Sequence, residues 1–215
     1  MKRKLENIFK RLYSVFGPQH WWPAENSFEV MVGAILTQNT NWSNVLKAIQ
    51  VLKEKKVLNP NKLHRLKHKK LAGLIKSAGY YNIKAARLKN FLKFFLNNYA
   101  AKTKLMAAQD LMILRSQLLA LNGIGPETAD SILLYALNKP IFVVDAYTKR
   151  ILLRHKLIDK DADYSSVQSI FMRNLKKDTK FFNEYHALFV KLGKDYCRKQ
   201  NPHCTICPLW SIKNA

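Results

Sequence analysis

Apolar residues recur every three to four positions along most of the chain, and no other feature of the sequence constrains the fold as strongly. Leu5, Ile8, Phe9, Leu12 and Phe16 form the first such stripe. The spacing predicts helices over Leu5–Phe16, Phe28–Thr37 behind an N-cap at Ser27, Trp42–Lys53, Asn61–Ala78 and Ile83–Tyr99. It continues over Ile113–Leu121, Pro126–Leu137, Ala146–His155, Ser165–Leu175 and Lys180–Tyr196. Seven Gly and seven Pro in 215 residues leave too few turn-formers for a β fold. The run Ile141-Phe142-Val143-Val144 is strand-like but has no evident partner strand, so it reads as a buried connector. The expected fold class is all-α, built of many short helices joined by short loops.

Lys and Arg number 37 against 14 Asp and Glu, a formal charge of +23. The pI lies near 10.0. On a chain whose hydrophobic fraction of 48% excludes wholesale disorder, this excess points to a polyanionic partner. Nucleic acid is the first candidate and an acidic membrane surface the second. The densest run, His64–Lys70 with Arg65, Lys67, Lys69 and Lys70, and the smaller Lys53-Glu54-Lys55-Lys56 read individually as solvated helix faces. Apolar stretches such as Val30–Leu36 fall short of the about 18 residues that a spanning helix needs. No apolar signal core follows Met1-Lys2-Arg3-Lys4-Leu5-Glu6. The expectation is a cytoplasmic, nucleoid-associated protein with no membrane partner.

Three clusters carry candidate chemistry. Cys197, Cys204 and Cys207 are odd in number and close together, which suits a metal or iron–sulfur site better than a disulfide framework. In Leu121-Asn122-Gly123-Ile124-Gly125-Pro126-Glu127-Thr128-Ala129, two glycines permit a tight hairpin. Pro126 suits a first helical position. The free N–H groups that follow are a seat for phosphate, and Ile124 would anchor the turn. Twenty residues beyond Gly125, Asp145 closes the run Ile141–Val144 and opens a helical pattern, as an N-cap would.

These residues resemble the helix-hairpin-helix DNA glycosylase superfamily, which contains endonuclease III. Leu121–Ala129 fits the hairpin pattern of that family, and Asp145 the aspartate that follows it. Gly33-Ala34-Ile35-Leu36-Thr37-Gln38-Asn39-Thr40 and Ala78-Gly79-Tyr80-Tyr81-Asn82-Ile83-Lys84-Ala85 fit two further blocks. The likeness extends from about Trp21 to Cys207. It implies two helical lobes: a central lobe, residues 23–135, with the hairpin, and a second lobe of residues 1–22 plus 136–215 with Asp145 and the cysteines. It also implies double-stranded DNA with damaged bases across the cleft between them, bound by a monomer.

The resemblance makes Asp145 the catalytic carboxylate. Cleavage of a glycosidic bond places positive charge on the sugar, which a nearby anion stabilises while it orients the attacking water. Bifunctional members carry a Schiff-base lysine two residues after the second hairpin glycine. Here that position is Glu127, which cannot form an imine, so the expected enzyme is monofunctional and needs no cofactor for its chemistry. Because a base inside the duplex is unreachable, it must be everted. Gln38 is then the candidate that fills the gap, and Gly123, Ile124, Gly125 and Thr128 hold the DNA backbone. Trp21-Trp22-Pro23 ahead of Leu36-Thr37-Gln38-Asn39-Thr40, with Trp42 beyond, resembles the bacterial 3-methyladenine DNA glycosylase III branch. Trp22, Pro23 and Trp42, with Trp21, become candidates for an aromatic pocket that takes a flat cationic base.

Cys197-x₆-Cys204-x₂-Cys207 matches three of the four ligands of the iron–sulfur loop in this family, with Lys213 at the fourth position. A [4Fe–4S] cluster with a non-Cys ligand, a zinc ion using His203 and an inert remnant of the loop all remain open. His186, on an apolar stripe, reads as a core or pocket-edge histidine, and His20 borders the tryptophans. The preferred activity is excision of alkylated purines such as 3-methyladenine. The alternatives are an endonuclease III-like activity on oxidised pyrimidines and a non-catalytic DNA-binding protein.

Overall fold

The computed structural model describes residues 1–214, with side chains to residue 212. Among them there is no strand; the chain is helical and divides into two compact units, Met1–Pro23 with Pro140–Ala215, and Ala24–Lys139.

The second unit holds α1 (Lys2–Phe16), α10 (Ala146–Arg154), α11 (Tyr164–Asn174) and α12 (Thr179–Asp195). Its core is aromatic. Phe142 stacks on Phe171 with centroids 3.7 Å apart, and Tyr185 packs edge-on against Phe142, Phe171 and Phe189. The buried Tyr185 hydroxyl donates to the Leu5 carbonyl at 2.8 Å, which ties α1 to α12. Residues 141–144 are extended and almost wholly buried without a partner strand. Side chains of α11 satisfy part of the backbone instead. Gln168 donates to the Phe142 carbonyl at 2.6 Å, the Phe142 N–H reaches Met172 Sδ at 3.4 Å, and the Val144 N–H reaches the Tyr164 hydroxyl at 3.3 Å. Buried backbone groups require such partners, so the connector that delivers Asp145 is held from one helix.

The central unit runs through α2 (Ser27–Leu36), α3 (Trp42–Glu54), α4 (Pro60–Arg65), α5 (His68–Leu74), α6 (Tyr81–Tyr99), α7 (Thr103–Ala108), α8 (Leu111–Leu119) and α9 (Pro126–Ser131). A wider π-type turn, Ile132–Ala136, continues α9. Every residue of α2 from Phe28 to Leu36 is buried. Its cap is Asn26, which accepts from the Glu29 N–H, rather than the expected Ser27. The helix expected over Asn61–Ala78 is broken at Leu66 and Lys67, which are extended (ψ 136° and 145°). The break lets Leu63, Leu71, Ala72 and Ile75 all point inward, which one straight helix of that length would not do. Between Lys55 and Gln109 the chain carries fourteen Lys and Arg and no carboxylate.

Candidate functional site

Asp145 ends the connector and N-caps α10, its Oδ1 accepting the Thr148 N–H at 2.7 Å. From α12, the buried His186 places Nε2 3.5 Å from Asp145 Oδ2. The carboxylate side chain keeps 12% exposure. Burial works to raise its pKa; the His186 charge and the hydrogen bond from the Thr148 N–H outweigh it and hold the group below its ordinary 3.8. Asp145 is thus an anion fixed by its backbone and aimed by a neighbouring helix, the form a sugar cation would need.

In the central unit, α8 and α9 are joined by the turn at Asn122–Gly125, with Gly123 at φ +89°. A Cβ there would collide with the Arg87 side chain of α6. Ile124 is buried at 4% exposure. Gly125 precedes Pro126 as the N-cap residue, and the exposed Glu127 stands in the first turn of α9. The two hairpin helices are clamped by Arg115 of α8, which holds the fully buried Asp130 with two bonds of 2.7 and 3.1 Å.

Gln38, just beyond α2, is brought onto this hairpin. Its amide donates to the Gly123 carbonyl and to Thr128 Oγ1, each at 2.9 Å, and Arg87 donates to its Oε1. Beneath it the buried Lys84, one turn before Arg87 on α6, donates to the Leu36 and Ala78 carbonyls at 2.7 Å each. Burial, with the Arg87 charge, pushes Lys84 down to about 8. Lys84, Arg87, Arg115 and Asp130 are parts of the site that the sequence reading did not single out. Only the placement of Lys84 and Arg87 three residues apart, behind Gly79-Tyr80, was available as a signal.

Trp21 and Trp22 lie edge-to-face with centroids 6.0 Å apart, and Lys194 of α12 stands over the Trp21 ring at 5.7 Å. Pro23 and His20 are exposed, and the half-buried Trp42 opens α3.

The cysteine loop follows α12. Cys197 is buried, and Cys204 and Cys207 are half-buried. Burial pushes the Cys207 thiol up, and the neighbouring Cys197 and Cys204 add to this. Arg150 donates to the Cys197 and Gly193 carbonyls at 2.7 and 3.1 Å. Arg154 reaches Cys197 Sγ at 3.3 Å and the Arg198 carbonyl at 2.7 Å. A guanidinium therefore already occupies one face of the first thiol. Among the described residues no three His, Cys, Asp or Glu side chains are placed to hold a metal ion. Lys213, at the fourth ligand position, lies outside the described side chains. Among the described residues, the three thiols and His203 are not gathered into a metal-holding group.

The pattern of the "HhH-GPD superfamily base excision DNA repair protein" matches residues 32–177, which include the Gln38 turn, the hairpin and Asp145. The chain belongs to this family. Membership makes it a DNA repair glycosylase of the helix-hairpin-helix type. A provisionally named DNA repair glycosylase of Methanocaldococcus jannaschii is 50% identical over 204 residues, 94% of this chain and 92% of that one. Endonuclease III of Thermotoga maritima is 26% identical over 203 residues, 94% and 89% of the two chains. The crystal structure of H. pylori 3-methyladenine DNA glycosylase bound to 1,N6-ethenoadenine superposes with a TM-score of 0.75 at 29% identity, covering 89% of this chain and 97% of that one. A trapped endonuclease III–DNA covalent intermediate superposes with a TM-score of 0.85 at 22% identity, covering 99% and 95%, and shows the shared fold. No helix among the described residues of this HhH-GPD protein is long and apolar enough to cross a membrane.

Proposed function

We propose that the protein is a monofunctional DNA glycosylase that removes alkylated purines such as 3-methyladenine from double-stranded DNA and leaves an abasic site. In this reading Asp145 stabilises the sugar cation and orients the attacking water. An N3- or N7-alkylated purine is already cationic, so the leaving base needs no proton and one carboxylate suffices. Trp22, Pro23 and Trp42, with Trp21, take the everted base; Gln38 fills the gap. Gly123, Ile124, Gly125 and Thr128 hold the backbone through contacts that carry no sequence information. The enzyme acts as a monomer on cytoplasmic, nucleoid DNA.

The observation that carries the reading is Glu127. It is exposed in the first turn of α9, at the position where a strand-cleaving member would present its amine. The H. pylori relative, described as a 3-methyladenine glycosylase, supports the choice of base. The test is mass spectrometry of bases released from methylated and from oxidised DNA. Methylpurines are expected from the first and nothing from the second. Asp145→Asn is expected to lower release by at least about a hundredfold, as loss of a general base does, while binding persists. A covalent adduct trapped with borohydride would contradict the monofunctional reading. Release of oxidised pyrimidines would favour the endonuclease III-like alternative. Unchanged release by Asp145→Asn would remove Asp145 from the mechanism.

A further inference from the structure

The Gln38 carboxamide is engaged on both ends: its amide nitrogen donates to Gly123 and Thr128 at 2.9 Å each, and its oxygen accepts from Arg87. The Arg87 stem lies against Gly123, so closely that a Cβ there would overlap it. Arg87 therefore touches the hairpin and the Gln38 side chain at once. Three residues earlier on the same face of α6, Lys84 fixes the carbonyls of Leu36 and Ala78. One helix thus pins both the backbone leading to Gln38 and its side chain. A glutamine carboxamide is otherwise free to swing about three rotatable bonds, and restraining it before DNA arrives avoids that entropic cost later.

The geometry points to Arg87 as a positioning residue for base eversion, acting through Gln38 rather than on DNA phosphate. The inference rests on the gap-filling reading of Gln38. A guanidinium suits the task, because its planar fork stays charged and orients an acceptor, whereas a lysine offers a mobile point charge.

The experiment follows gap filling directly, without base chemistry. A duplex carrying a tetrahydrofuran abasic-site analogue beside 2-aminopurine is mixed with wild type, Gln38→Ala, Arg87→Met, Arg87→Lys and Gln38→Ala/Arg87→Met. Loss of a charge-assisted hydrogen bond is expected to slow the fluorescence change about tenfold in Arg87→Met and in Arg87→Lys. The double variant is expected to match Gln38→Ala alone. Salt dependence of binding separates the two roles of an arginine, since loss of one phosphate contact lowers the slope of log K against log salt by about 1. Here the slope is expected to stay at the wild-type value in both Arg87 variants. A further slowing in the double variant, or a reduced slope in Arg87→Met, would overturn the inference and leave the Gln38 reading standing. Wild-type kinetics in Gln38→Ala would instead remove the gap-filling reading itself. If Arg87→Met does not fold, Arg87→Gln, which also removes the charge from this half-buried position, carries the comparison.

Discussion

Asp145 draws its character from two neighbours with different reach. Thr148 is three residues away on its own helix, while His186 comes from α12. Burial opposes the anion, and these partners keep its pKa below 3.8. For a carboxylate with a depressed folded value, the stabilisation is complete above the unfolded pKa and is lost as pH falls through the folded one. The acid limb of single-turnover base release is therefore expected below that of an ordinary carboxylate. Removing the largest favourable influence, by His186→Ala, is expected to move the acid limb upward, with partial return in His186→Asn, which keeps a donor. A pH profile of the three proteins checks this; coincident acid limbs would separate His186 from Asp145. From the sequence, the capping aspartate was legible because capping is local. Its histidine was assigned only to the core or pocket edge, because 40 residues intervene and apolar periodicity says nothing about which polar atom faces which.

Among the elements, the hairpin helices depend on a charge that is fully out of solvent. Arg115 holds Asp130 with two bonds. Removing one partner of such a pair takes away the main compensation for burying the other, at a cost of about 3–5 kcal/mol. Arg115→Met is expected to lose that much by urea denaturation, and Arg115→Met with Asp130→Leu to regain most of it, since the burial penalty disappears with the charge. Equal stability of wild type and Arg115→Met would show the pair to be dispensable. Helix types were readable from spacing because tertiary packing here follows apolar stripes, as in α1 with Leu5, Ile8 and Leu12 buried. The break at Leu66 and Lys67 was not readable, since no Gly or Pro marks it and long-range burial of Leu71 and Ile75 decides it. The short α7 lacked a stripe long enough to register. Lys84 and Arg87 escaped notice because basic residues on a helix are usually solvated, and only the fold reveals which carbonyls stand opposite them.

At the scale of the molecule, an excess of +23 sets how the protein meets DNA before any base is inspected. Each phosphate contact releases condensed counterions, so affinity for undamaged duplex is expected to fall at least about a hundredfold between 50 and 200 mM salt. Fluorescence anisotropy at a series of salt concentrations measures it, and a flat response would deny the electrostatic origin of binding. Charge of this kind was legible from composition, whereas its partition among elements needed the fold. The carboxylate-free stretch from Lys55 to Gln109 has one more effect, which begins at the ribosome. Until α4 to α7 have packed, those fourteen cations have no carboxylate between them in sequence to offset their mutual repulsion, so added salt, which screens them, is expected to favour the folding of this segment.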